Sequence, residues 1–428
     1  MKINRNIAPP LHPLTSPSLL PYRQVTLDNG MWVAYLHDPR QEILKLDLVL
    51  PHGTYHQPRP IVASTMINLL NEGTTSLSAA EIAEFFDFHG AALDLHTGTH
   101  HSEINILSLR CHAPVMIKML ASMLLDSTFP HREMEIYTRN KRQQHEDNME
   151  KTSYLAQRNF LRLLYGEQHP YANHFTAADF DRVTTEEIRA FHRSRLSAPA
   201  CRLFLSGNVD DALLQIIDHA FSPLPSPPLA PDAEIPSTPA IPGVYRIDKP
   251  GAVQASIRVG KSGVRIHEEE FIPFQLLNMA LGGHFGSRLM TNIREEKGYT
   301  YGIHSTNVKR ARGAYWLVST EVNAACTDAT IDEIQKEIRR LQEEPIPDEE
   351  LHLVKNYYHG ELLRELDGLF AQADALKYYV NYDTDTTFCL RALERIRTCP
   401  ADELRLLARK YLNLDEMIIV IAGDQTGR

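Results

Sequence analysis

The chain has 428 residues, a formal net charge of −10 and 43% hydrophobic residues. That apolar fraction excludes a disordered chain, and the acidic balance excludes general nucleic-acid binding, which rests on clustered Lys and Arg. The length predicts two or three domains, each large enough for its own core.

In chain order, a proline-rich leader comes first, over 1–22, with Pro9, Pro10, Pro13, Pro17 and Pro21. Its opening residues lack the apolar core of a signal peptide, and no run of about 18 apolar residues occurs anywhere. The expected location is cytoplasmic, or periplasmic where a signal has been removed. An N-terminal domain is predicted over 23–222. It opens on a hairpin, with Asn29-Gly30 between alternating runs. Helical periodicity follows over 60–70, 79–89 and 113–125. Thr184 and Glu187 form a capping box before a helix that leads into the strand Arg202–Gly207. Prolines crowd again at 223–243, which reads as an extended, semi-rigid linker. The C-terminal domain, 244–428, starts with strand-like segments at 243–248 and 252–259 that flank a turn. Helices are predicted over 271–281, 329–341 and 348–366.

The two halves repeat. Gly207 and Gly423 stand 216 positions apart (423 − 207), and so do Ile188 and Leu404; each pair ends or begins a matched helix–strand unit. Strands cluster and helices run between them without strict βαβ alternation. The predicted class is α+β: two duplicated, similar domains, each a mainly antiparallel sheet with helices packed on one face.

Twenty histidines raise the question of a metal. Helical zinc hydrolases hold two His four residues apart with a Glu as general base, as H-E-x-x-H or its inverse. Neither motif is intact. His96 and His100 have the spacing, but their segment reads as strand and turn, where four-residue spacing places nothing on one face. His52 and His56 flank Gly53 in a predicted loop. The five cysteines are far apart and odd in number, which predicts free, buried thiols and no disulfide framework. No P-loop and no G-x-S-x-G elbow is present.

The segment Leu281-Gly-Gly-His-Phe-Gly-Ser-Arg-Leu-Met-Thr-Asn-Ile-Arg-Glu-Glu-Lys-Gly-Tyr-Thr-Tyr is more specific. It resembles the second-domain signature of the pitrilysin/insulinase family of zinc metallopeptidases, which includes the mitochondrial processing peptidase. Asn71-Glu-Gly-Thr, Gly90, His169-Pro-Tyr-Ala and Ser206-Gly-Asn resemble it too. Family members are built from duplicated α+β halves, and the class is zinc metalloendopeptidase. Setting the family's G-T pair on Gly73-Thr74 places its H-x-x-E-H motif on Ser64, Ile67 and Asn68, and its third ligand at or near His145. All three motif positions depart from the pattern, so the resemblance implies no catalytic residue and no zinc in this chain. The family's substrate-binding Arg and Tyr fall on Arg294 and Tyr301.

The resemblance therefore implies a non-catalytic subunit of a heterodimeric peptidase. A partner of the same family would carry H-x-x-E-H and zinc, and this chain would contribute half of a peptide chamber. No nucleic acid or membrane partner is expected, and in isolation a homodimer is an open alternative. Two further readings stand beside it: an active metallopeptidase with an atypical metal site at His96, His100, His101 and Glu103, and a non-enzymatic peptide-binding scaffold.

Overall fold

The computed structural model describes residues 17–238 and 241–424. The first sixteen residues of the leader lie outside them. The first half runs β1 (Arg23–Thr26), β2 (Trp32–His37), β3 (Ile43–Leu50), α1 (Val62–Asn68), α2 (Ala79–Phe88), β4 (Ala92–Thr97) and β5 (Ser102–Leu109). It continues with α3 (Ala113–Leu125), α4 (His131–Met149), α5 (Thr152–Tyr165), α6 (Ala177–Phe180), α7 (Thr185–Arg195), β6 (Arg202–Gly207) and α8 (Asp211–Phe221). The second half holds β7 (Gly243–Asp248), β8 (Gln254–Ser262), α9 (Phe271–Asn278), β9 (Thr300–Arg310) and β10 (Gly313–Asn323). It closes with α10 (Thr327–Glu343), α11 (Asp348–Arg364), α12 (Gly368–Asn381), α13 (Phe388–Thr398), α14 (Ala401–Tyr411) and β11 (Ile418–Gly423). Two π-helical turns, Met279–Gly283 and Met290–Glu296, lie between α9 and β9. Among the described residues no helix is long and apolar enough to cross a membrane.

The duplication is visible in the topology. The sheet orders are β1-β2-β6-β3-β5-β4 and β7-β11-β8-β10-β9, which superpose once β1 is set aside. The offset of 216 carries α7 onto α14 and β6 onto β11 with the same boundaries. Each sheet is antiparallel except for one pair, β2 with β6 and β7 with β11. The sequence expectation for β7 and β8 needs correction: they are not hydrogen-bonded neighbours, because β11 lies between them. Every residue of β11 is buried. An apolar strand of that kind is stable only in the sheet interior, with cover on both faces. Gly207, which ends the matching strand β6, has φ +136, and a Cβ there would meet the Ile43 carbonyl oxygen at 2.4 Å. Only glycine fits that close approach.

Each half packs its own helices on one face of its sheet. In the first, Leu44, Leu46, Leu48 and Leu50 of β3 meet α1, α3 and α7. In the second, Ile257, Val259, Val318 and Ile421 meet α9, α10 and α14. The opposite faces are covered by exchange. Leu155, Ala156, Phe160 and Leu164 of α5 lie on Leu317, Ile418, Val420 and Ala422 of the second sheet. Ala373 and Leu376 of α12 lie on Ala34, Leu36, Val49 and Phe204 of the first. Gly260 makes room for this packing, since a Cβ there would stand 2.9 Å from the Phe160 ring.

The proline-rich stretch is pinned along its course. Pro225 accepts from the Ala198 N–H, and Pro227 from the Ser197 hydroxyl. Asp232 pairs with His56, Arg195 and Arg312 at 3.2–3.4 Å. The expectation for the thiols is corrected in part: all five are free, but Cys111 is exposed, Cys326 is half-buried, and only Cys201, Cys389 and Cys399 are buried.

Candidate functional site

Helix α1 is preceded by Ile61, which takes φ 75, a conformation that a β-branched residue rarely adopts. The strained carbonyl of Ile61 is held by two hydroxyls, Ser64 at 3.0 Å and Thr65 at 2.8 Å. One turn later the Asn68 amide and the Tyr137 hydroxyl both donate to the Ser64 carbonyl, at 2.8 and 3.3 Å. Ser64 and Asn68 therefore present one face of α1, and that face lines a cavity of about 580 Å³. Ile67 points the other way, fully buried in the first core.

Helix α4 supplies the facing wall. Tyr137, Lys141, Gln144, His145 and Asn148 follow helical spacing and all line the same cavity. The His145 ring lies 4.9 Å from that of Phe175 and 6.0 Å from that of Phe180, and its Nδ1 is 3.2 Å from the Tyr154 hydroxyl. Burial, and then the positive charge of Arg158, hold its imidazole below the ordinary histidine range. Burial also pushes the Tyr137 phenol up to about 12. The fold thus gathers Ser64, Asn68 and His145 around one space, and leaves Ile67 out.

The donor set in that space does not suit zinc. It offers one imidazole, hydroxyls and carboxamides, where a catalytic zinc takes three ligands from His, Glu, Asp and Cys. The set His96, His100, His101 and Glu103 is also broken up. His96 and Glu103 are partners across β4 and β5, and Glu103 is taken by Lys377 at 2.8 Å. His100 turns to the opposite side, where its Nε2 meets the Tyr171 hydroxyl at 2.8 Å. There it joins His56 and Asp232, with one ligand atom from each within 4.8 Å of the others. Arg195 and Arg312 flank Asp232, so a cation at that point would face two guanidinium charges. This cluster reads as a clamp on the proline-rich stretch. Spacing alone could not have found it, because its members come from three separate loops.

Arg294 and Tyr301 lie in the second half, and neither lines the cavity of the first. Arg294 sits on the second π-helical turn, with its guanidinium 4.5 Å from the centre of the Phe285 ring. Among the described residues it has no carboxylate partner. Phe285 is 62% exposed, a feature the sequence reading missed although it lies within the same signature. Tyr301 is 93% exposed on the edge strand β9. The cause is a bulge, since Tyr301 and Gly302 together oppose the single residue Glu321 of β10. Bulges re-aim side chains. Here the Thr300 hydroxyl stabilises it, donating to the Glu321 carbonyl at 2.7 Å and accepting from Thr320 at 2.9 Å.

Comparison with known proteins places this geometry. Residues 182–358 match the family described as "Peptidase M16 inactive domain". The "Uncharacterized zinc protease YmxG" of Bacillus subtilis strain 168 is 22% identical over 358 residues, covering 81% of this chain and 84% of that protein. A Rickettsia felis protein named "Uncharacterized zinc protease" is 24% identical over 346 residues, 79% of this chain and 82% of its own. Among solved structures, a peptidase M16 inactive domain from Pseudomonas fluorescens has a TM-score of 0.86 at 22% identity, covering 95% of this chain and 99% of that one. A protease from Helicobacter pylori gives 0.81 at 16% identity, covering 95% and 100%. These structures share the fold of two similar α+β domains. With the domain match over residues 182–358 and the zinc protease relatives, they bear out the resemblance to the pitrilysin/insulinase group that the second-half signature carries.

Proposed function

We propose that this chain is the non-catalytic, substrate-binding subunit of a heterodimeric zinc peptidase, acting in the cytoplasm. A partner of the same family supplies the zinc and the general base, and this chain supplies half of the peptide chamber. One observation carries the reading: Ser64, Asn68 and His145 gather at a cavity that lacks the three ligands of a catalytic zinc, while Tyr301 stands exposed and the half-buried Arg294 has no carboxylate partner among the described residues. A guanidinium and a phenol so placed can donate hydrogen bonds to a peptide carbonyl and to the oxyanion that develops from it. Stacking on Phe285 limits the directions in which the Arg294 fork can point.

The test is a reconstituted pair. Replacing Arg294 by Ala is expected to lower the partner's kcat on the order of 10²-fold, and Tyr301→Phe by about 10-fold, with the complex still formed. Unchanged turnover in both variants would favour the scaffold reading. The chain alone is expected to hold no stoichiometric zinc, and metal analysis finding about one tightly bound zinc per chain would overturn the assignment.

A further inference from the structure

The cavity beneath α1 departs from the charge balance of the whole chain. The protein has 54 acidic and 44 basic residues, yet among the described residues no Asp or Glu lines this space. Its two formally charged groups are both cations, Lys141 and Arg158, and the remaining polar lining is neutral. Neither cation has a carboxylate partner among the described residues. Lys141 Nζ donates to the Gln144 side chain at 3.1 Å and lies 5.7 Å over the Tyr137 ring. Arg158 Nη2 donates to the Phe175 carbonyl, while its Nη1 is buried with no acceptor. The hydroxyl of Thr97, at the end of β4, is buried and unpartnered in the same wall.

A buried guanidinium N–H without an acceptor is costly, and two uncompensated cations beside one cavity attract an anion. The adjoining strand indicates how that anion arrives. Among the described residues β4 is the edge of the first sheet and pairs only with β5, and Leu95 and Thr97 of β4 line the cavity. A peptide extended along a free edge hydrogen-bonds through its backbone and directs alternate side chains to one face.

We infer that this cavity is a carboxylate subsite, in which Arg158 and Lys141 take an acidic group of a peptide extended along β4. The group is an Asp or Glu side chain or the peptide's C-terminal carboxylate. The inference rests on the peptide-binding part of the function proposed above. Where a catalytic relative would place a metal dication, this chain places two side-chain cations.

The experiment is selection from a pool of randomised nonapeptides on the immobilised full chain, with the C-terminus as free acid in one arm and as amide in the other. Retained peptides are expected to be enriched on the order of 10-fold in Asp or Glu at one position in the amide arm, or in free-acid over amide forms. The enrichment is lost in Lys141→Gln and Arg158→Gln. Lys141 is exposed and outside the core, so its variant keeps the fold even if the Arg158 variant, which also loses the contact to Phe175, does not. Peptides retained without acidic or C-terminal preference overturn this inference and leave peptide binding intact. An acidic preference that survives both substitutions overturns its assignment to this cavity. Retention of no peptide in either arm overturns the peptide-binding reading as well.

Discussion

The His52 imidazole is fully enclosed, with its Nε2–H donating to the His192 carbonyl at 2.9 Å and its ring stacked on that of His192. Burial pushes it from the ordinary value of 6.5 down to about 3, and pushes His192 down to about 4. Both groups are therefore neutral in the folded protein and protonate more readily when it unfolds. Below about pH 6.5 the unfolded chain binds more protons, so stability is full above that pH and falls as the pH drops toward 4. Urea midpoints are expected to decline from pH 7.5 to pH 5, with a shallower decline in His52→Gln. An equal slope in the variant would show that His52 does not contribute. At the motif positions, Ile67→Glu places a carboxylate in the apolar core and not in the cavity, and is expected to cost about 3–5 kcal/mol of stability by urea denaturation. The departures at Ser64, Ile67 and Asn68 were legible from residue identity alone. The cationic lining was not, because Thr97, Lys141 and Arg158 come from a strand and two helices that only packing brings together.

Helices α5 and α12 carry the connection between the halves, since each covers a sheet belonging to the other half. Leu376→Ala is expected to destabilise the protein by about 2–4 kcal/mol and Phe160→Ala by about 3–5 kcal/mol, as judged by denaturant unfolding. Each should act on the whole molecule, because the cavity opens at the contact between the halves. A charged cluster reinforces α12: Lys377 reaches Glu103 at 2.8 Å and Asp47 at 3.5 Å, and Lys45 joins Asp47 at 3.3 Å. Asp47 is buried, so Lys377→Ala would leave its carboxylate poorly compensated. Periodicity identifies a helix and its apolar face, but the sheet on which that face docks is a non-local choice. The same limit explains β7 and β8. Their alternation was legible, while the insertion of β11 between them depended on a strand about 170 residues further along the chain.

At the scale of the molecule, the exchange predicts that the two domains do not unfold independently. Calorimetry of the full chain should show one cooperative transition. Residues 243–428 expressed alone should bind a hydrophobic dye or aggregate, because Leu317, Ile418 and Val420 would lose the cover of α5. A soluble, dye-silent fragment with its own sharp transition would contradict this. Asp232 adds a smaller contribution, holding the proline-rich stretch to Arg195 of one half and Arg312 of the other.

The duplication, the α+β class and the family signature around Arg294 and Tyr301 were determined by the sequence itself, because each rests on local pattern or residue identity. The absence of an intact H-x-x-E-H or H-E-x-x-H from the sequence belongs with them. Tertiary structure alone decided which helix covers which sheet, that a bulge turns Tyr301 outward, that His100 faces His56 and Asp232 and not Glu103, and that two cations share a cavity with no carboxylate among the described residues. Those outcomes depend on contacts between segments far apart in the chain. Local periodicity fixes a face, whereas the choice of neighbour is made by the burial and charge of the whole fold.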